Sequence, residues 1–155
     1  MKEQHAFHRG LEDIMEGYWM AYEQRDIDKM FSYHPKNREI LIIGTGKEEV
    51  FDTLEEYRKG LERDFAQSEK VEIEIKNFTA DSSGNVAWVF LNHFAKVTVK
   101  GKEHKLITRY TAVLEFMITR YTAVLEFIEG KWYIVQSHLS FPPEEQKEGE
   151  SFPVK

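Results

Sequence analysis

Apolar side chains recur at Phe7, Leu11, Ile14, Met15, Tyr18, Trp19 and Tyr22, a three-and-four spacing that paints one face of a helix. A short second helix is expected next, with Asp26 as its N-cap and Ile27, Met30 and Phe31 turned inward, before His34-Pro35 ends it. Residues 39–43 read as a strand. Thr53 and Glu56 then make a capping-box pattern ahead of Leu54, Tyr57, Leu61 and Phe65, which predicts a third helix over 53–66. From there the period changes to two. Val71, Ile73 and Ile75 alternate with Glu72, Glu74 and Lys76, the signature of a strand with one wet face. The turn-forming stretch 81–85 leads into a long aromatic and β-branched run, 86–99, and a Lys100-Gly101 turn follows. A Glu129-Gly130 turn introduces a last strand over 132–140. Helices first and a meander of antiparallel strands afterwards predict an α+β domain in which the N-terminal helices cover one face of a curved sheet.

Within the strand-rich half the chain writes ITRYTAVLEF twice, at 107–116 and 118–127, with only Met117 between. A single strand over 106–127 would extend about 70 Å at roughly 3.3 Å per residue, too long for this domain. The shift between copies is odd, so one unbroken strand would turn every side chain of the second copy to the face opposite its twin. Hairpin pairing of the two copies would reverse the chain before Trp132 and conflict with the Glu129-Gly130 turn. One copy is therefore expected to fill a strand position while the other bulges out, pairs at an edge or coils. Near-identity points to a tandem duplication, natural or engineered, and deletion of 107–117 is expected to leave a stable protein.

The 155 residues are 41% hydrophobic and 14% aromatic, enough for one domain with a real core. We place that domain at 1–141 and a Pro-, Glu- and Lys-rich C-terminal tail at 142–155. A formal net charge of -6 without a dense Lys/Arg block removes the attraction that would bring nucleic acid or anionic lipid. Neither is expected as a partner. No cysteine is present, which fits a reducing compartment, with cytoplasm the default. The N-terminus lacks a signal-peptide apolar run, and no stretch of about 18 apolar residues exists to span a bilayer.

With one copy set aside, the C-terminal half contains Arg120-x-Thr122-Ala123-Val124-Leu125, Gly130-Lys131-Trp132-x-Ile134-Val135 and His138-x-Ser140-x-Pro142. Together with Trp19, Asp26, Gly44-Thr45-Gly46 and Gly84-Asn85-Val86-Ala87-Trp88, these residues give the chain a resemblance to the nuclear transport factor two-like superfamily, in particular its SnoaL-like branch. The resemblance implies a cone-shaped fold, a pocket between helices and sheet, and a homodimer. It does not select an activity, because that superfamily hosts isomerases, cyclases, dehydratases and non-catalytic binders. Ketosteroid isomerases of the superfamily carry a carboxylate base at the end of the first strand, where this chain has Ile42, Ile43 and Gly44.

Period-two alternation over the last strand puts Trp132, Ile134, Gln136, His138 and Ser140 on one side, a candidate pocket wall. His138 is the candidate general base or hydrogen-bonding group, against the plainer reading of a histidine satisfied by its neighbours. Arg120, or its twin Arg109, on a face with Thr and Val would need an anionic partner, either a bound organic anion or an internal carboxylate. Arg120 is the preferred occupant of the strand position. Tyr22, Trp88 and Gln136 complete the candidate binding set, although aromatic residues at this spacing also serve as plain core. His34 and His93 have no metal-ligand spacing, His5 and His8 read as solvent-exposed, and the Gly44-Thr45-Gly46 loop is too short to cradle a phosphate. No metal and no cofactor is expected. Two functions follow: binding of a small organic anion, with cyclase- or isomerase-type chemistry, or a non-catalytic homodimeric association module.

Overall fold

The computed structural model describes residues 2–105 and 117–140, and side chains over 7–101 and 121–140. Helix α1 (Lys2–Glu23) is followed by α2 (Ile27–Phe31), strands β1 (Leu41–Ile43) and β2 (Val50–Phe51), and α3 (Leu54–Gln67). Five more strands complete it: β3 (Lys70–Ser83), β4 (Val86–Val99), β5 (Lys102–Lys105), β6 (Met117–Ile128) and β7 (Lys131–Ser140). The strands form one curved sheet in the order β2-β1-β7-β6-β4-β3, with β5 also on β4. The fold is the α+β architecture expected, with one departure. β1 pairs with β7 in parallel, while the other strand pairs are antiparallel.

Local chemistry sets the helix boundaries. The Asp26 carboxylate accepts from the Lys29 amide at 2.9 Å, and the Thr53 hydroxyl accepts from the Glu56 amide at 3.2 Å, so both caps satisfy donors that a helix leaves orphaned. At the other end of α3, Arg25 donates to the carbonyls of Phe65 at 2.7 Å and Ser68 at 2.6 Å. This ties the turn after α1 to the exit of α3. The stripe on α1 is core: Leu11, Met15 and Tyr18 are buried against Leu91, Leu125 and Ile134 of the sheet. Burial of each large aliphatic side chain supplies roughly 1.5–3 kcal/mol.

Two bulges depart from simple alternation. In β3 the register slips between Lys76 and Thr79, where Asn77 has φ +54°; an extra residue of this kind bends a strand and strengthens its twist. In β7, Leu125 pairs with Ile134 but Val124 pairs with Gln136, so Val135 is the extra residue. From that point the strand is inverted relative to period two. Ser137 and Leu139 turn toward the helices, and Gln136 and His138 turn to the exposed outer face.

The second copy of the repeated decapeptide builds β6, between β4 and β7; the first copy, with Arg109, lies outside the described residues. Lys105 of β5 pairs with Lys96, and Met117 of β6 pairs with Ala95. β5 and β6 therefore occupy consecutive rungs along the same edge of β4, and the chain between them is eleven residues, one repeat unit.

Candidate functional site

Between the helices and the inner face of the sheet lies a cavity of about 800 Å³. Its aromatic wall comes from α1 and α3, which present Tyr18, Trp19, Tyr22 and Tyr57, and from Phe51 of β2. Alternation along β4 brings His93, Ala95 and Val97 to the opposite wall, beside Tyr121 of β6 and Ser137 of β7. Gly60 permits the close approach of Phe51, whose ring would stand 2.6 Å from a Cβ at that position.

Polar groups in this wall fall into three sets. In the first, Asp64 sits on the apolar stripe of α3 with only a long contact from the Tyr22 hydroxyl, 3.5 Å, and Arg63 at 3.8 Å. Burial, and the nearby Glu49 charge, push its carboxyl up to about 6. Glu49 is better compensated: it accepts from Arg63 at 2.6 Å and from the Gly46 amide at 2.8 Å. A Cβ at Gly44 or Gly46 would collide with the Glu49 side chain, so the Gly44-Thr45-Gly46 loop cradles an internal carboxylate.

The second set is a relay. His34, buried behind the cavity, has Nδ1 3.0 Å from the Ile134 carbonyl and Nε2 3.4 Å from the Tyr18 hydroxyl, which in turn lies 2.7 Å from the Tyr57 hydroxyl. A carbonyl can only accept, so the network assigns the proton of His34 to Nδ1. Nε2 then accepts from Tyr18, and Tyr18 accepts from Tyr57. Burial pushes His34 down to about 4, keeping it neutral at ordinary pH, and pushes both tyrosines up, Tyr57 despite the lowering effect of its bond to Tyr18.

The third set is the group of buried polar side chains around Trp19. The Tyr121 hydroxyl and Trp19 Nε1 have no hydrogen-bond partner among the described residues; Ser137 stands near Tyr121 without bonding geometry. Their rings pack edge to face at 5.2 Å. His93 is 4.2 Å from the Trp19 ring and is likewise pushed down to about 4 by burial.

Of the residues singled out from sequence, Tyr22 lines this cavity. The strand-face assignment of His138 and Gln136 is corrected by the Val135 bulge, which places both on the exposed outer face. Trp88 is corrected as well: it is 47% exposed and shares a shallow outer depression of about 310 Å³ with Phe90 and Gln136. The backbone of Arg120 lies in β6 between Asn92 and Ser140; its side chain, like all of Arg109, lies outside what is described. Sequence reasoning missed Asp64, Glu49 and the relay. The first had a visible signal, an acid three residues after Leu61 and seven after Tyr57 on an otherwise apolar helix face.

The chain belongs to the SnoaL-like domain family, whose model matches residues 11–120. Among solved structures it is similar to a nuclear transport factor 2-like superfamily protein from Salmonella enterica serovar Typhimurium LT2, with TM-score 0.76 at 13% identity over 96% of this chain and 99% of the other. A protein from Novosphingobium aromaticivorans, provisionally named a scytalone dehydratase, gives 0.73 at 12% identity over 92% and 89%. A provisionally named calcium/calmodulin-dependent protein kinase II association domain from Xanthomonas campestris gives 0.71 at 21% identity over 88% of both chains. At such identities the likeness concerns the fold. A comparison with curated protein sequences finds no match. No described helix is long and apolar enough to cross a membrane.

Proposed function

We propose that this domain binds a small, largely apolar organic molecule in the cavity between α1, α3 and the sheet. The observation that carries the reading is the cavity itself: about 800 Å³, walled by aromatic rings and bordered by the buried Tyr121 hydroxyl and Trp19 Nε1, which have no hydrogen-bond partner among the described residues. Ligand sites characteristically combine an apolar concavity with a few fixed polar groups. Proton transfer on the bound molecule, as isomerase- or cyclase-type chemistry demands, has its candidate group in Asp64, whose proton affinity is matched to near-neutral pH. The provisional dehydratase name of a structural relative is in keeping with such chemistry. The organic-anion form of the reading rests on Arg109 and Arg120. Among the described residues the charged cavity groups are Glu49, Asp64, Glu69 and Lys100.

Thermal-shift screening with small aromatic acids, alcohols and amines tests the reading. Stabilisation by at least one class is expected, and Ala95→Trp, which fills the cavity from β4, should abolish it. A flat response from the folded protein to all three classes would refute binding. A second reading, homodimeric association, is favoured by the outer sheet face, where Trp88 and Phe90 are 47% and 37% exposed. Light scattering of the wild type and of Trp88→Glu decides it, since a dimer through this face should dissociate in the variant.

A further inference from the structure

We propose that the cavity selects a ligand bearing a hydrogen-bond-donating ammonium group, received by Asp64 and Tyr57 of α3. This rests on the binding function proposed above and names its ligand class. Two independent observations lead to it. The relay fixes the direction of the Tyr57 proton: the Ile134 carbonyl sets the His34 tautomer, His34 Nε2 takes the Tyr18 proton, and Tyr18 takes that of Tyr57. Tyr57 therefore offers the cavity lone pairs and no proton. Asp64, two turns along the same helix face, is an under-compensated acceptor, because Arg63 is committed to Glu49 and the Tyr22 contact is long. Both line the same cavity, and so does buried Tyr121, whose hydroxyl has no hydrogen-bond partner among the described residues and can accept a further donor. Acceptors that line one cavity with the rings of Trp19, Tyr22 and Phe51 suit an organic cation, which gains both a charge-assisted hydrogen bond and cation–π attraction.

The charged and titratable groups around Asp64 are Tyr22 on α1, Glu49 on the β1–β2 loop and Arg63 on α3, with Glu69, His93 and Lys100 elsewhere in the cavity wall. Burial holds His93 neutral at pH 7, and Lys100 is exposed in the turn after β4 and accompanied in the wall by Glu69, which accepts from the Gly101 amide.

Calorimetric titration of the full chain at pH 7.5 with 2-naphthylmethylamine, 2-naphthylmethanol and 2-naphthoate tests the proposal with one apolar body and three head groups. The amine should bind about tenfold tighter than the alcohol, and the carboxylate weakest. Asp64→Asn should bring the amine down to the alcohol. Tyr18→Phe, which removes the acceptor for Tyr57 and leaves that hydroxyl free to donate into the cavity, should weaken the amine and strengthen the carboxylate. Amine affinity should fall as pH drops below about 6. Equal or tighter carboxylate binding, or an amine preference that survives Asp64→Asn, overturns the ammonium assignment while leaving cavity binding intact. No binding by any of the three refutes both.

The rungs of β4 carry a second inference. Because β5 and β6 sit on consecutive rungs and the decapeptide copies are offset by the eleven residues between them, we propose that the two copies compete for the β6 position. With the chain shifted by one unit, β4 from Val86 to Phe94 would meet identical residues, and only the ends change, Leu106 for Met117 and Met117 for Ile128. The exchange trades the eleven-residue link between β5 and β6 and the tight Glu129-Gly130 turn for a single longer connection, a difference of loop entropy that grows only slowly with length. Disulfide trapping under equilibrating redox conditions reads the two states in this cysteine-free chain. Trp88→Cys with Val124→Cys reports the register described, and Trp88→Cys with Val113→Cys reports the shifted one. Both pairs should cross-link within the monomer. Cross-linking of the first pair with none of the second overturns the exchange.

Discussion

Asp64 shows how one side chain sets function against stability. Its carboxyl is held near 6, above its usual range, by burial and by Glu49, so the folded protein binds that proton more readily than the unfolded chain. The sign follows: this residue's contribution is most favourable below about pH 4 and is lost as pH rises through about 6. With its side chain still 38% exposed, solvent screening reduces the effect to about 1 kcal/mol. Asp64→Asn is accordingly expected to raise the melting temperature by about 3 °C at pH 7.5 and by nothing at pH 4, in melts run at both values. A destabilised variant at neutral pH would mean that Asp64 is compensated in a way its contacts do not show. The residue was legible in part, since an acid on an apolar stripe is visible in the sequence. Its raised proton affinity was not, because Glu49 approaches from a loop folded back by two glycines.

Strands and helices carry the next scale. The capping box of α3 was readable, and Thr53→Ala should cost about 1 kcal/mol in urea unfolding through loss of one capped amide. Nothing in the local sequence of β7 announces the Val135 bulge. Trp-Tyr-Ile-Val-Gln-Ser-His-Leu-Ser reads as a plain alternating strand, and the extra residue arises from how β6 and β1 must pair on either side. Removing Val135 would take out the extra residue and leave plain alternation, with Ser137 and Leu139 still on the inner face and Gln136 and His138 still outside. That variant should keep a cooperative urea unfolding transition, and its loss would show that the bend at the bulge is itself required. The repeated segment is likewise expected to be dispensable. Deleting 107–117 joins Leu106 to Ile118 in line with β5 and leaves every later rung on β4 unchanged, so this variant should melt cooperatively at or above the wild-type temperature. Failure to fold would show that both copies are required.

Whole-molecule behaviour is expected to be governed in acid by two histidines. His34 and His93 are both buried and held near 4. For a histidine depressed on folding, the unfolded chain binds the proton first, so stability is lost as pH falls from about 6.5 to 4, on the order of 3 kcal/mol for each. This exceeds the opposing Asp64 effect. Urea unfolding at pH 7.5, 5.5 and 4.5 should show the decline, and His34→Gln, which keeps a donor for the Ile134 carbonyl, should flatten it. A pH-independent free energy would exclude both histidines as neutral buried groups.

Helix positions, N-caps, the long β4 strand and the turns at Lys100-Gly101 and Glu129-Gly130 were determined by the sequence itself, because each depends on residues within one or two turns or rungs of one another. The α+β class follows from their order. The composition of the cavity was decided only by the tertiary structure. A one-residue bulge in β7 chose Ser137 over His138, Tyr18 joined His34 to Tyr57 across sixteen and thirty-nine residues of chain, and burial gave Asp64 its proton affinity. Those outcomes depend on long-range contacts and on the dielectric they create, which no local pattern of side chains encodes.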